Sequence, residues 1–181
     1  MMPLSLSTIA RAVNGRLIGN DLVVGTLVTD TRKLEANASV PALFIAIKGE
    51  NFDGNDYVAK AAELGARAAL VSRQSDAAIP QIVVADTERA LADLALVVQR
   101  DRRTKVVAIT GSNGKTSVKT LTQAIFERAG STYATPGNRN NEIGMPLAVL
   151  DTPEDAAFAI YEMGTGKPGD IAYLTRIAPP D

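Results

Sequence analysis

The chain has 181 residues, of which 46% are hydrophobic, and this is enough for one domain of common size and part or all of a second. Lys and Arg number 19 and Asp and Glu number 20, so the formal net charge of −1 offers no positive field to recruit nucleic acid. Cysteine and histidine are both absent, which excludes disulfides, iron–sulfur centres, thiol nucleophiles, imidazole bases and the usual zinc sites in this chain.

The N-terminal segment MMPLSLSTIA has no charged region followed by an apolar core, so it does not resemble a signal peptide. No run in the sequence approaches the roughly 20 apolar residues that a membrane span requires. We therefore expect a cytoplasmic protein that does not insert into membranes.

Strands and helices alternate along the first half of the chain. A helix capped by Ser5 or Ser7 is followed by short strands in RLIG and DLVVGTLVTD and by a buried strand in ALFIAIKG. A helix in NDYVAKAAELG ends at Gly65, and after it come a strand around 68–71, a strand in IPQIVVAD and a helix in TERALADLALVVQR. This alternation predicts an α/β fold.

The charged segment RDRRTK at 100–105 marks the expected boundary between a first domain, 1–103, and a second, 104–181. The alternative is that it is only the solvated end of a helix. Beyond it we expect a strand in KVVAIT, a helix to Gly130, strands in STYATPG and AAFAIYEMG, and a helix beginning in GDIAYLTRIAPPD. Three strands are fewer than the five or more of a usual nucleotide-binding sheet, so we expect the second domain to be incomplete.

The helix that ends at Gly130 carries a row of apolar residues at helical spacing, namely Val118, Leu121, Ile125 and Ala129. Residues three and four positions apart lie on one face of a helix. We therefore expect this face to pack against a sheet.

A glycine-rich turn, TGSNGKT at 110–116, connects the KVVAIT strand to that helix. It is a shorter variant of the phosphate-loop pattern G-x-x-x-x-G-K-[ST], because the position of the first glycine in the full pattern is Ile109. Glycines let the backbone approach an anion, and amides at a helix N-terminus favour negative charge. The candidate ATP-binding residues are Thr110, Gly111, Ser112, Asn113, Gly114, Lys115, Thr116 and Ser117. The alternative is a tight turn with a surface lysine.

Glu162 follows the apolar run AAFAIY and precedes a glycine, so it is expected at the carboxyl end of a strand. Ligand groups of α/β sheets lie at that edge. Mg²⁺ prefers one or two carboxylates together with phosphate oxygens and water, so Thr116 and Glu162 are the candidate metal ligands. The alternative is an exposed acid in a surface ion pair.

Three motifs of the second half, VVAITGSNGKTSVK, TPGNRNNEIGMPLAVL and AIYEMGTGKPGDI, resemble in order the central domain of the Mur ligases. In the first half, VTDTRKL, ALFIAIKGENFDGNDYV and GARAALVSR are similar to the family's UDP-sugar-binding domain. The resemblance implies an N-terminal α/β domain that binds a UDP-linked substrate, followed by an incomplete P-loop domain with a parallel sheet that binds ATP. It is greatest to members that add D-alanyl-D-alanine to UDP-N-acetylmuramoyl-tripeptide in peptidoglycan synthesis.

The resemblance also implies the chemistry. ATP phosphorylates the terminal carboxylate of the substrate, and the amine of the incoming dipeptide attacks the acyl phosphate, so no protein nucleophile is required. Catalysis then depends on alignment and charge neutralisation. Lys115, Asn138 and Glu162 are the implied catalytic residues, and ATP and Mg²⁺ are the implied cofactors. Family members are usually monomeric, and we expect a monomer.

For the nucleotide-sugar end, the resemblance implies two loops of substrate-binding residues: Asp30, Thr31 and Arg32; and Lys48, Gly49, Phe52, Asp53 and Gly54. In GNRNNEIG at 137–144, Asn138 matches a family asparagine near the triphosphate and acceptor site, and Asn140 and Asn141 are further candidate substrate-binding residues. Arg32 or Lys48 could pair with the diphosphate, and Asp30 suits a hydrogen bond to uracil or ribose. On the residues alone, TDTRK could equally be a capped turn and FDGND a plain loop.

Several alternatives stay open on the sequence. The chain could be the sister Mur ligase that adds the third amino acid, or a P-loop kinase or NTPase with an unrelated N-terminal module. A noncatalytic nucleotide-sugar-binding protein is a further possibility. The family's carbamylated lysine, metal-binding histidine and third domain all correspond to positions beyond Asp181, so we expect the 181-residue chain alone to have no measurable ligase turnover.

Overall fold

The computed structural model describes residues 2–49 and 51–181. The chain divides into two compact units, with the division between Leu94 and Ala95. The division lies inside a helix, upstream of the boundary at 103 and 104 that the charged segment suggests, and the domain limits inferred from the sequence stay a prediction. Each unit is described by itself below.

The first unit is built on a five-stranded sheet of order β2-β7-β6-β5-β4. Strands β4 to β7 run parallel, and β2 pairs antiparallel with β7 at one edge. The elements are β1 (Leu4–Ser5), α1 (Leu6–Ala12), β2 (Arg16–Ile18), β3 (Val23–Val24), β4 (Thr26–Val28), β5 (Ala42–Ile45), α2 (Val58–Glu63), β6 (Ala66–Val71), β7 (Gln81–Val83) and the part of α3 (Thr87–Arg100) that precedes the division, with 3₁₀ helices at Thr31–Lys33 and Gly54–Tyr57. Strands β1 and β3 form a separate antiparallel pair.

The centre of this sheet is apolar on both faces. Leu43, Phe44 and Ile45 of β5 are almost completely buried, as is most of β6. A strand covered on both faces is a continuous hydrophobic run, which is what ALFI and AALV are. The carboxyl ends of the parallel strands β4, β5 and β6 therefore meet at one edge of the sheet, and the loops that follow them lie there.

The second unit contains a three-stranded parallel sheet of order β8-β10-β9. Its elements are β8 (Lys105–Ile109), α4 (Lys115–Phe126), β9 (Thr132–Ala134), α5 (Gly144–Asp151), β10 (Phe158–Glu162) and α6 (Asp170–Ile177). Strand β10 lies in the middle, and Ala159, Ile160 and Tyr161 are completely buried there. Parallel strands joined by helices confirm the predicted α/β class. Across the described residues, the helices are too short or too polar to traverse a lipid bilayer.

The end of helix α4 and the exposure of its apolar row differ from the prediction made from the sequence. It ends at Phe126 rather than near Gly130, and the apolar row predicted to face the sheet is exposed. Val118 is 50% exposed, and Leu121 and Ile125 are each 67% exposed, whereas Lys119 is buried. In these 181 residues the buried face of α4 therefore carries Lys119 and not the apolar row.

Candidate functional site

The glycine-rich turn connects β8 to α4 through two residues with positive φ. Gly111 has φ +150° and Gly114 has φ +76°, and Gly114 is the N-cap of α4. A Cβ on Gly114 would meet nothing within 4 Å, so the backbone conformation is what requires glycine there. The turn thus leaves open space above the start of the helix.

The start of α4 presents backbone amides to that space. No side chain of the described residues caps the first turn of α4, and the first N–H groups of a helix have no partner within the helix. The helix dipole adds partial positive charge at the same end. The ammonium of Lys115 donates to the carbonyl oxygen of Gly111 at 2.8 Å, which places its charge against the turn. The arrangement suits a phosphate group.

Glu162 is the last residue of β10 and pairs with Ile109, the last residue of β8, so its carboxylate lies directly below the turn. The residue is 3% exposed. Its Oε2 accepts from the hydroxyl of Thr116 at 3.4 Å, and its Oε1 accepts from Nδ2 of Asn140 at 2.9 Å. Two strands and a helix thus bring Thr116 and Glu162 together at the carboxyl edge of the sheet.

Lys119 completes this group, and the sequence analysis did not select it. Its Nζ lies 3.2 Å from Oε2 of Glu162 and donates to the carbonyl oxygens of Thr135 at 2.8 Å and Gly137 at 3.1 Å. One signal could have found it. Lys119 is four residues after Lys115, so the two lie on the same face of the helix.

The hydrogen bonds around Glu162 decide its charge. Burial on its own raises the pKa of Glu162, but the hydrogen bonds from Asn140 and Lys119, the charge of Lys119 and the hydroxyl of Thr116 together outweigh it. The pKa of the carboxyl therefore lies below its ordinary value, and the group is ionised at neutral pH.

The asparagines of the loop after β9 lie in different environments. The side chain of Asn138 is exposed. The backbone carbonyl oxygen of Asn138 accepts from the backbone amide of Asn140 at 2.8 Å. Asn140 reaches Glu162, as described above. Oδ1 of Asn141 accepts from the amide of Gly144 at 2.8 Å, at the start of α5. The structure therefore joins Asn140, rather than Asn138, to the carboxylate, and the catalytic role of Asn138 stays a prediction.

A cleft of about 420 Å³ opens beside the turn. Its lining comes from the turn, from the asparagine loop after β9, from the loop before α6 and from α6 itself: Lys115, Asn140, Asn141, Glu142, Gly164, Thr165, Gly166, Lys167, Asp170 and Leu174. The amide of Gly164 donates to the carbonyl oxygen of Asn140 at 2.7 Å. This contact fixes the position of the asparagine loop at the edge of the cleft.

Thr116 and Glu162 also fit a magnesium ion. Both offer oxygen atoms, the ligand type that Mg²⁺ prefers, and the hydroxyl and the carboxylate are 3.4 Å apart. The low pKa of Glu162 keeps the carboxylate ready to coordinate without losing a proton first. Phosphate oxygens of a ligand at the turn would supply further coordination.

In the first unit, Asp30 and Arg32 form a tight local pair after β4. Asp30 is the N-cap of the 3₁₀ helix Thr31–Lys33 and accepts from the amide of Arg32 at 3.0 Å. Nε and Nη2 of Arg32 donate to the same carboxylate at 2.9 and 2.7 Å. These bonds lower the pKa of Asp30 to about 2. The Arg32 side chain is 87% exposed, so its outer face is open to solvent.

The loop after β5 forms a short hairpin. Lys48 and Asp53 make an isolated antiparallel bridge, and the amide of Gly49 donates to the carbonyl oxygen of Phe52 at 2.9 Å. The Phe52 ring lies against Gly49 and is 54% exposed. A Cβ on Gly54 would come within 2.6 Å of the carbonyl oxygen of Ile47, so only glycine fits at that position.

Arg73, in the loop after β6, is a second residue that the sequence analysis missed. Its guanidinium lies 3.5 Å from the Asp53 carboxylate and also pairs with Asp56. The charges of Arg73 and of Lys48 both act on Asp53 and help to lower its pKa, after the hydrogen bonds from Asn55. Three cationic side chains therefore follow the strands β4, β5 and β6, at one edge of the sheet.

Comparison with known sequences places both units in one family. Residues 27–113 match the family described as Mur ligase family, catalytic domain, and residues 109–181 match Mur ligase middle domain. The chain is 41% identical over 181 residues to the UDP-N-acetylmuramoyl-tripeptide–D-alanyl-D-alanine ligase of Escherichia coli (strain K12), covering 100% of this chain and 39% of that protein. It is 39% identical over 191 residues to the enzyme of the same name from Bacillus subtilis (strain 168), covering 100% and 40%.

Superposition on solved structures supports the same family assignment. One crystal structure of MurF from Acinetobacter baumannii superposes with a TM-score of 0.92 at 33% identity, covering 99% of this chain and 40% of that chain. The MurF ligase from Thermotoga maritima, in complex with ADP, superposes with a TM-score of 0.74 at 34% identity, covering 86% and 35%.

The chain thus spans about 40% of the length of the relatives that it matches. The alternative of an unrelated N-terminal module is wrong, because the first unit matches the same family as the second. From the two matches, which together run from residue 27 to residue 181, and from these superpositions, the chain belongs to the Mur ligase family.

Proposed function

We propose that this chain is the nucleotide-handling part of an ATP-dependent ligase that adds D-alanyl-D-alanine to UDP-N-acetylmuramoyl-tripeptide. One observation carries the proposal. The hydroxyl of Thr116 and the carboxylate of Glu162 lie 3.4 Å apart, beneath a glycine turn whose amides and Lys115 suit a phosphate. The names of two relatives, which are 41% and 39% identical to this chain over the aligned residues, give the substrates.

In this proposal the reaction proceeds in two steps. The terminal carboxylate of the tripeptide attacks the γ-phosphorus of ATP, which forms an acyl phosphate and releases ADP. The amine of D-alanyl-D-alanine then attacks the acyl carbon, and after proton loss inorganic phosphate leaves and an amide bond remains. Neither step needs a nucleophile from the protein, which agrees with a chain that lacks cysteine and histidine.

Each residue of the site then has a task. The amides at the start of α4 bind the β- and γ-phosphate oxygens, and Lys115 neutralises negative charge that develops on the transferred group. Thr116 and Glu162 would hold Mg²⁺, which supplies charge neutralisation between the phosphates when bound. Asn140 keeps one carboxylate oxygen of Glu162 in place through its 2.9 Å hydrogen bond.

We infer that the first unit binds the UDP portion of the substrate. Arg32 and Lys48 follow neighbouring parallel strands and are suited to pair with the diphosphate, as is Arg73. The exposed ring of Phe52 provides an apolar surface at the same loop. We also propose that the protein acts in the cytoplasm, since both substrates and ATP are soluble there. We propose separately that it acts as a monomer.

Calorimetric titration of the purified chain with UDP-N-acetylmuramoyl-tripeptide tests this proposal. We expect saturable binding that UDP competes for and that Arg32→Met weakens, with Lys60→Met as a control on an exposed lysine outside these loops. A chain that binds ATP with Mg²⁺ but shows no affinity for the UDP-linked substrate would contradict the proposed role of the first unit, and the proposed substrate would be wrong.

A further inference from the structure

Lys119 contacts three acceptors in two segments, namely two backbone carbonyl oxygens after β9 and the carboxylate of Glu162. Its side chain is 8% exposed, and its acceptors lie in the loop after β9 and at the end of β10. A buried ammonium is costly unless its donors are all used. Lysine has three N–H donors, and the three acceptors use all of them.

An apolar residue would serve packing at this position at lower cost, because a buried ion pair is often no more stabilising than a hydrophobic pair of similar volume. The exposure of the other residues of α4 supports the same point. Its apolar residues Val118, Leu121 and Ile125 are exposed, while a lysine occupies the buried face. Packing alone therefore does not account for Lys119.

The two carbonyl acceptors belong to the segment that carries the asparagines. Thr135 and Gly137 lie just before Asn140, which donates a hydrogen bond to Oε1 of Glu162. Lys119 and Thr116 contact the other carboxylate oxygen, Oε2. Both oxygens of the carboxylate are thereby held, one from the loop and one from the helix. The ammonium is the contact shared by the loop and the carboxylate.

We propose that Lys119 is a positioning residue that joins the asparagine loop, residues 135–141, to Glu162. It thereby orients the carboxylate toward the glycine-rich turn at 110–116. Its Nζ is committed to Thr135, Gly137 and Glu162, so it acts through Glu162 and not on phosphate. The effect on Mg²⁺ binding rests on the proposed function, whereas the effect on the loop and the carboxylate does not.

The first experiment needs no ligand. Proton–nitrogen NMR spectra of the 181-residue chain would follow the side-chain amide of Asn140, which donates to Glu162, and the ammonium of Lys119. In the wild-type chain we expect slow proton exchange at the Lys119 ammonium. In Lys119→Met we expect the Asn140 amide signal to move toward the position of a solvent-exposed asparagine, and in Lys119→Arg to stay close to wild type.

The second experiment measures ATP affinity by calorimetry with Mg²⁺ and with EDTA. Losing a group that orients a metal ligand typically weakens metal binding about 10- to 100-fold. We expect Lys119→Met to reduce the Mg²⁺-dependent gain in affinity by that factor and to leave the affinity in EDTA unchanged. Lys119→Arg should restore part of the gain, and Lys60→Met, at an exposed ion pair, should match wild type.

The outcomes separate the two proposals. If wild-type chain gains nothing from Mg²⁺, the metal site of the proposed function is wrong, and the ligand-free spectra decide the role of Lys119. If Lys119→Met does not fold, exchange at the wild-type ammonium decides it: slow exchange supports the proposal and fast exchange overturns it. An unmoved Asn140 signal in folded Lys119→Met overturns it, as does equal weakening of ATP binding with and without Mg²⁺.

Discussion

The ammonium of Lys119 lies 3.2 Å from Oε2 of Glu162, and the two side chains are only 8% and 3% exposed. Each charge is removed from water and compensated by the other and by hydrogen bonds from the surrounding segments. Removing one partner therefore leaves the other charge buried without its counter-ion, which costs more than losing both.

This relationship predicts the stability of three variants. Glu162→Gln leaves the Lys119 ammonium uncompensated, and we expect it to lower the free energy of unfolding by about 3–5 kcal/mol. The double variant Lys119→Met, Glu162→Gln should lose less than the sum of the two single variants. Urea unfolding measures all three. Strictly additive losses would show that the two side chains do not interact, and the exposed pair of Lys60 and Glu63 serves as a near-additive control.

Lys115 is expected to contribute to nucleotide affinity and not to folding. Its ammonium contacts the carbonyl oxygen of Gly111 at the surface of the turn. Because a hydrogen bond to a charged group contributes about 1.5–3 kcal/mol, Lys115→Met should weaken ATP binding about 10- to 100-fold. Calorimetry measures the affinity, and thermal unfolding should show no comparable loss of stability. ATP affinity that is unchanged in Lys115→Met would contradict a phosphate site at this turn.

Gly164 is expected to matter for the asparagine loop because of its contact with Asn140. A Cβ at position 164 would lie 3.0 Å from Cγ and from the carbonyl oxygen of Asn140, whereas a Cβ at Gly166 would meet only Asp170, at 3.8 Å. We expect Gly164→Ala to displace Asn140 from Glu162 and to reduce the Mg²⁺-dependent gain in ATP affinity about 10-fold. Gly166→Ala is the matched control in the same loop, and an equal effect of both variants would contradict this account.

The pair of Asp30 and Arg32 predicts a pH effect in the first unit. The pKa of Asp30 is lowered to about 2, first by the hydrogen bond from the Arg32 side chain and then by the bond from its backbone amide. A lowered pKa stabilises the folded chain above the unfolded value of about 3.9, and this stabilisation is lost as the pH falls through about 2.

Arg32→Met should raise the pKa of Asp30 toward its unfolded value and remove most of this pH dependence. Carbon-detected NMR titration of the Asp30 carboxyl group measures it directly. The backbone hydrogen bond from residue 32, at 3.0 Å, remains in the variant, so a small lowering should persist. A pKa in Arg32→Met that stays near 2 would mean that the guanidinium is not its main cause.

The exposed row on α4 predicts an unusual tolerance of polar substitutions. Because Leu121 is 67% exposed, Leu121→Ser should change the free energy of unfolding by no more than about 0.5 kcal/mol. The control is Ile160→Ala in the completely buried β10, for which a loss of about 2–5 kcal/mol is expected. Urea unfolding of the two variants compares them, and a loss in Leu121→Ser similar to that in Ile160→Ala would place Leu121 in the core after all.

Local sequence patterns predicted most of the elements. The apolar run 42–49 contains the expected strand, at Ala42–Ile45, and the periodic segment 87–100 forms the expected helix, because each pattern is local and agrees with the burial that it receives. The turn at 110–116 lies between a strand and a helix, as its glycines and flanking residues indicate. Glu162 ends a strand beside that turn for the same reason, since an apolar run followed by a glycine indicates a strand end.

Tertiary structure alone decided which face of α4 is buried and which asparagine meets the carboxylate. The phosphate turn fixes the direction of the first helical turn, so Lys115 faces the cleft and Lys119, one turn later, faces Glu162. This constraint outweighs the hydrophobic row that the sequence displays. Likewise, Asn140 and not Asn138 contacts Glu162 because of backbone contacts such as the one between Gly164 and Asn140. These two residues are 24 positions apart in the chain. Contacts between distant segments have no local pattern, and folding alone brings them together.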